Sequence, residues 1–235
     1  VRGYISPDSP SPKLNTLTDT LLKQEFDLCR KKNQSHRLLK KNKKLKHIIP
    51  YKNENSARDV NDKLIIYSKT KEQYKLLDAW RSRDYGIQRR FKDTNIILFG
   101  AVDDVWLNTK TDKLILADYK SQQNKDEVTQ ESYFNGVYKK SYETQMDFYV
   151  YLLKGEIRRI NNINKDVSED SYFYVMNARG VEKGFDGKIL FEEKIIHYTT
   201  KTNYLEDEIQ NMIDTINSKA IPESSFNCIN CAYSK

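Results

Sequence analysis

Apolar residues recur along this chain with two periods. In LNTLTDTLLKQEFDLCRKK, residues Leu14, Leu17, Leu21, Leu22, Phe26 and Leu28 return near the helical repeat, which predicts one apolar face on a helix, with Asn15 or Thr18 as its cap. The lysine-rich stretch that follows reads as a second helix ending before Pro50, DKLIIYS as a short strand or a helix start, and YKLLDAWRSR as an amphipathic helix. From Ile87 the period changes. IQRRF, TNIILFGAVDDVWL and DKLILADYKS are rich in branched and aromatic residues, with NTKTD between the last two, which predicts an antiparallel hairpin within a sheet. ESYFNGVYKKSYETQMDFYVYLL returns to helical spacing and stops at Gly155, a residue suited to ending a helix. SYFYVMNA and KILFEEKIIHY read as further strands, and TNYLEDEIQNMIDTINS as a helix halted before Pro222. This order predicts an α/β (α+β) fold, with helices flanking a mixed central sheet. The expected organisation is an N-terminal helical, lysine-rich segment over 1–60 that packs on a core over 61–221, and a C-terminal tail over 222–235.

The predicted hairpin carries charges where an interior strand should have none. Asp103, Asp104, Asp118 and Lys120 interrupt short apolar runs, and burying a charge is costly unless it is paired or holds a metal. Side chains at i and i+2 of a strand share a face, so Asp118 and Lys120 point one way and Tyr119 the other. The NTKTD turn can bring Asp103 close to Asp118. Two carboxylates within about 4–6 Å repel, and one is pushed to protonate unless a cation lies between them. Oxygen donors with no imidazole or thiolate cluster nearby favour Mg²⁺ or Mn²⁺ over zinc. Beside a metal-bound phosphate, Lys120 would stabilise the charge that develops in a displacement. In the following helix Gln145 and Tyr149 stand at i and i+4, one turn apart on one face, and can grip a phosphate or a nucleic-acid strand end. Met146, Leu152 and Leu153 cover the buried side. The same residues also fit an ion-paired hairpin at a sheet edge, with Gln145 solvated and Tyr149 in the core.

Composition adds a partner class and a compartment. The 235 residues carry a formal net charge of +7, enough chain for one α/β domain with additions. From Arg30 to Lys52 there is no Asp or Glu, and such a basic block attracts polyphosphate through counterion release; a solvated lysine-rich face is the plainer alternative. No apolar run approaches the ~20 residues that span a bilayer, and no secretory leader is seen, so no membrane association is expected. The cysteines are Cys29, Cys228 and Cys231, an odd count that favours a reducing cytoplasm over a disulfide framework. Cys228 and Cys231, in CINC, are candidates for half of a zinc or iron–sulfur site, which normally needs four ligands. A first residue that is not Met and an ending at CAYSK suggest a trimmed chain, which leaves a further terminal element open.

GAVD, ADYK and QMDFY, in that order from Gly100 to Tyr149, resemble the G-x-x-D, (D/E)-x-K and Q-x-x-x-Y motifs of the RecB-like branch of the PD-(D/E)XK nuclease superfamily. More loosely, LLKQEFDLCR, the SHRLL segment, the lone Trp before GAVDDVW and the terminal CINCAY are similar to an uncharacterised bacterial group of that superfamily. The resemblance implies a restriction-endonuclease-like fold and two-metal hydrolysis of DNA phosphodiester bonds with Mg²⁺ or Mn²⁺. It implies that Asp103, Asp118 and the Tyr119 carbonyl hold metal, that Lys120 acts at the reacting phosphate, and that Gln145 and Tyr149 support strand binding. Asp104 would be an outer supporting or sheet-end group. A histidine from the N-terminal region often adds a ligand in this branch; His36 is the best positional match and His47 the second, although neither reproduces the G-x-x-x-H pattern. His197, in an alternating strand, reads as structural. Some members hold an iron–sulfur cluster on one cysteine before the core and three after it; Cys29, Cys228 and Cys231 stand in corresponding places, one short of four. The expected function is a metal-dependent, exonuclease-like DNA nuclease acting on single strands or duplex ends. No helicase motif is present, so a helicase or repair partner would be a separate chain. The alternatives are a nucleic-acid-binding module that kept the scaffold without catalysis, and a protein-interaction domain.

Overall fold

The strand KLILADYKSQQ forms the centre of the molecule because both of its faces are apolar for most of its length. This strand, β5 (Lys113–Gln123), pairs antiparallel with β4 (Asp104–Asn108) and parallel with β7 (Asp170–Arg179). The computed structural model describes residues 13–53, 75–136, 139–160, 163–179, 184–220 and 222–223. The DKLIIYS segment and the CINC tail, with Cys228 and Cys231, lie outside the described residues.

The main sheet has the order β1-β4-β5-β7-β8, with β1 at Ile48–Pro50, β8 at Leu190–Thr199 and the short β6 (Asp166–Val167) paired to β5. It is mixed, as expected: β4 and β8 run antiparallel to their neighbours, and β6 and β7 run parallel to β5. Alternation along β5 assigns each residue to a layer. Leu114 and Leu116 face one core with Phe173, Val175 and helix α5 (Lys139–Glu156), through Met146, Val150 and Leu153. Ile115, Ala117 and Tyr119 face a second core with Trp106, Tyr174 and helix α1 (Lys13–Lys31), through Leu22 and Phe26. Each fully buried large side chain contributes about 1.5–3 kcal/mol relative to exposure, so two helices on opposite faces fix the strand's register. A slip of one residue would exchange the layers.

The β4–β5 turn is local chemistry. Asn108 Oδ1 accepts from the backbone N–H of Lys110 at 3.0 Å and of Thr111 at 3.3 Å, the side-chain-to-backbone bonding that makes Asn a turn former. The remaining elements are α2 (Arg37–Lys41), α3 (Leu76–Trp80), β2 (Ile87–Arg90), β3 (Ile97–Gly100), α4 (Gln130–Tyr133) and α6 (Leu205–Asn217). Among the described residues no helix is long and apolar enough to cross a membrane.

Four local expectations are corrected. The run TNIILFGAVDDVWL is not one strand: β3 pairs with β2 in a separate two-stranded sheet, and Gly100–Asp103 carries the chain across to β4. That crossing is held from outside, by Val102 N–H donating to the Trp80 carbonyl at 3.0 Å. The lysine-rich stretch holds only the short α2, and then becomes β1, with Pro50 tolerated because β1 is an edge strand. Asn15 and Thr18 both lie inside α1 rather than capping it. Gly155 does not end α5, which continues to Glu156; a Cβ there would meet the Arg89 side chain, so the glycine lets Arg89 of β2 lie close against the helix.

Candidate active site

The pleat of β5 puts Asp118 and Lys120 on the α5 face, past the last apolar residue of that layer. Asp104 pairs with Ala117 across the hairpin, so one step further along the register sets Asp103 opposite Asp118. The Tyr119 backbone N–H donates to Asp103 Oδ2 at 2.8 Å. That bond ties the end of the GAVD crossing to the residue between Asp118 and Lys120. Asp103, Asp118, Tyr119 and Lys120 line a cleft of about 520 Å³, closed on one side by Asn15, Asp19 and Lys23 of α1 and on another by Gln145 and Tyr149 of α5.

Asp118 is 3 % exposed, and its carboxyl is pushed up to about 7, by burial first and the neighbouring Asp103 charge second, while Lys120 pulls it back. The Lys120 ammonium forms an ion pair with Asp118 Oδ2, yet that oxygen has no well-aligned hydrogen bond. Burial opposes charge on Lys120, but Asp118 and Asp103 outweigh it and hold the lysine above its ordinary value. Lys120 Nζ also donates to Gln145 Oε1 at 3.0 Å, and Gln145 Nε2 donates to the Tyr149 hydroxyl at 2.8 Å. The two α5 residues therefore form a relay that aims the lysine. Gly100 admits this arrangement: a Cβ there would stand 2.7 Å from the Tyr149 ring. The glycine of GAVD is thus a packing requirement of the tyrosine of QMDFY.

The adjacent aspartates divide between two tasks. Asp103 turns into the cleft, whereas Asp104 is fully buried and accepts from Val105 N–H at 2.9 Å, Trp106 Nε1 at 3.2 Å and the Tyr119 hydroxyl at 2.9 Å, with Arg30 as its ion-pair partner. Asp104 is therefore the sheet-end group expected, and its network ties α1 to the hairpin. The Tyr119 side chain belongs to that network while its backbone borders the cleft; burial first and Asp104 second hold its phenol well above the ordinary value.

His36 does not line the cleft. It stacks on Phe26 at 4.3 Å between ring centroids, its Nδ1 accepts from Leu38 N–H at 3.3 Å at the start of α2, and its Nε2 lies 2.9 Å from Glu25 Oε1. Burial lowers its basicity. The expectation of a metal ligand is corrected to an aromatic core position with a capping role. His47 is also absent from the cleft, and His197 pairs with Asp170 at 2.7 Å on the surface. Cys29 is a free thiol outside the cleft.

The sequence reading missed what α1 and α5 add. Lys23 Nζ bridges Asp19 Oδ2 at 2.9 Å and Asp103 Oδ1 at 3.1 Å; the only sequence signal is an i,i+4 Asp–Lys pair, common on solvated helices. Arg81 borders the cleft and is held by Asp27 at 2.9 and 3.2 Å. Lys120 lies over the Tyr142 ring at 4.6 Å, with Lys139 on the same ring at 5.1 Å. Lys139 donates to Gln122 Oε1 at 3.0 Å and is pushed down to about 8, mainly by burial and then by Lys120.

These donors suit a hard cation. Among the described residues no group of three or more His, Cys, Asp or Glu is placed to hold a metal, so the protein would offer two carboxylates and a backbone oxygen. Mg²⁺ is commonly bound in this manner, through one or two carboxylates with water and substrate phosphate completing its shell. Two neighbouring carboxylates, one of them buried, outnumber the single Lys120 ammonium between them, and that excess of negative charge supplies the physical reason for a cation.

The PD-(D/E)XK nuclease superfamily model matches residues 11–235, and the chain belongs to that superfamily. Its mixed sheet flanked by helices is consistent with the restriction-endonuclease-like fold. No curated protein and no solved structure matches the chain.

Proposed function

We propose that this member of the PD-(D/E)XK nuclease superfamily is a metal-dependent, exonuclease-like deoxyribonuclease, with Asp103, Asp118 and Lys120 as its catalytic centre. The observation that carries this reading is the convergence of two carboxylates and an ammonium on one cleft, with Asp118 buried beside a like charge. Asp103, Asp118 and the Tyr119 carbonyl would hold Mg²⁺ or Mn²⁺. When bound, such ions polarise a phosphoryl oxygen and lower the pKa of a bound water, in the two-metal manner of many phosphodiesterases.

The chain's own residues supply the rest. The Lys120 ammonium, aimed by Gln145, stabilises negative charge on the reacting phosphate. Lys23 neutralises Asp103 from α1 and offers a second cation to the phosphate. The Tyr149 hydroxyl, bonded to Gln145, keeps that amide in one orientation and borders the strand path. Seven lysines between Lys31 and Lys46 are exposed (31, 32, 40, 41, 43, 44 and 46). Asp19 at the cleft and Lys31 at the end of α1 are separated by about 18 Å of helix, so the basic segment can follow the backbone of a bound strand.

Intact catalytic groups argue against a binding module that has lost its chemistry. We propose a cytoplasmic location, supported by the odd cysteine count, with a separate helicase or repair chain supplying strand ends. The test is cleavage of linear, nicked and single-stranded DNA with Mg²⁺ or Mn²⁺. The expected result is loss of linear or single-stranded substrate that disappears in Asp118→Ala; no cleavage of any of these substrates would overturn the proposal.

A further inference from the structure

Phe99 is 59 % exposed, yet it lines the same cleft as Asp118 and Lys120. The strand dictates its direction. In β3 the neighbouring Gly100 faces α5, where the Tyr149 ring leaves no room for a Cβ. Alternation therefore turns Phe99 away from α5, to the mouth of the cleft. A single exposed apolar side chain needs no explanation by itself, but this one has a companion. Arg83 is exposed, lines the same cleft, and has no ion-pair partner among the described residues. Nor does any described ring stack on Phe99, although the buried rings of this protein pack in pairs, such as Phe26 with Trp106 and Tyr133 with Phe173.

An aromatic face and a guanidinium without partners among the described residues, at the entrance of a phosphate-cleaving cleft, match one ligand, an unpaired nucleobase with its phosphate. Aromatic side chains and Arg bind single strands in this way because every base has a π-face, and a base within a duplex has both faces covered by its neighbours. We propose that Phe99 and Arg83 form a stacking platform that selects single-stranded DNA, with Phe99 taking the base and Arg83 the adjoining phosphate. It rests on the nuclease reading above and adds the strandedness of the substrate.

The test is fluorescence anisotropy of a labelled single-stranded oligonucleotide and a blunt duplex of the same sequence, titrated with the 235-residue protein in Ca²⁺ to limit cleavage. Phe99→Ala is expected to weaken single-strand binding about 5- to 150-fold, the range for loss of one stacked base, and to leave duplex binding nearly unchanged. Phe99→Trp is expected to keep single-strand binding. The introduced indole is expected to quench when the oligonucleotide binds, which a folding role would not produce, since Trp80 and Trp106 are both fully buried. Equal weakening on both substrates, no weakening on either, no quench, or no single-strand binding by the wild type would each overturn the proposal. Mn²⁺ uptake measured on the same samples separates the two failures. Loss of the platform leaves Asp118-dependent uptake intact, whereas failure of the nuclease reading removes it.

Discussion

Asp103 accepts the backbone N–H of Tyr119 at 2.8 Å, so the residue between Asp118 and Lys120 is fixed by the aspartate on the neighbouring chain segment. The bond sets the separation of the two carboxylates without using either Asp118 oxygen. What remains at Asp118 is a buried acid beside a like charge, only partly offset by the Lys120 ammonium; it is stabilised by protonation or by a further cation.

The pH dependence of stability follows from that environment. The folded-state pKa of Asp118, about 7, lies above the ordinary carboxylate value. Its stabilising contribution in metal-free protein is therefore full below the unfolded value near 4 and is lost as pH rises through about 7. Asp118→Asn, which stays neutral, is expected to raise the thermal midpoint of metal-free protein at pH 8 and to change it little at pH 4. An equal change at both pH values in thermal melts would contradict this environment.

Removing the lysine should affect chemistry more than assembly. Lys120→Ala is expected to lower the single-turnover cleavage rate by about 10²–10³, the cost of one transition-state charge stabiliser. Gln145→Ala, which leaves the ammonium in place but unaimed, is expected to cost less. Single-turnover rates at saturating enzyme separate the two, and a Gln145 variant slower than the Lys120 variant would contradict the relay.

Asp104 and Asp103 are neighbours with opposite predicted phenotypes. Asp104→Ala leaves the buried Trp106 Nε1–H and Tyr119 hydroxyl without their acceptor and takes one carboxylate from Arg30, which keeps Asp27 and the Tyr51 carbonyl; each buried donor left unpaired costs about 1–3 kcal/mol. A fall in denaturant midpoint with Mn²⁺ uptake preserved per folded molecule is expected. Loss of metal uptake in protein that remains folded would place Asp104 in the cleft instead.

His36→Ala is expected to cost about 0.5–2 kcal/mol as a lost cap, with a further loss from its stacking on Phe26. Its Mn²⁺ affinity should match the wild type by calorimetry. A tenfold weaker affinity would restore His36 as a ligand.

The legible parts of this molecule are those in which local alternation and motif chemistry agree. Leu114, Leu116, Asp118 and Lys120 share a face by the period of a strand, and NTKTD closes the hairpin through the Asn108 side chain. The split of TNIILFGAVDDVWL was not legible, because the apolar run is unbroken and the crossing is held by the distant Trp80 carbonyl. His36 was misplaced because a histidine after a helix reads alike whether it faces a cleft or Phe26. Lys23 was missed because its partner Asp103 is 80 residues away in sequence.

Calorimetric titration of Mn²⁺ into wild-type protein and Asp118→Ala at pH 8 most directly tests whether Asp103 and Asp118 hold a catalytic cation. Saturable uptake by the wild type that is lost in the variant is the expected result. Uptake that is unchanged without Asp118, or no uptake by the folded wild type, would contradict the account.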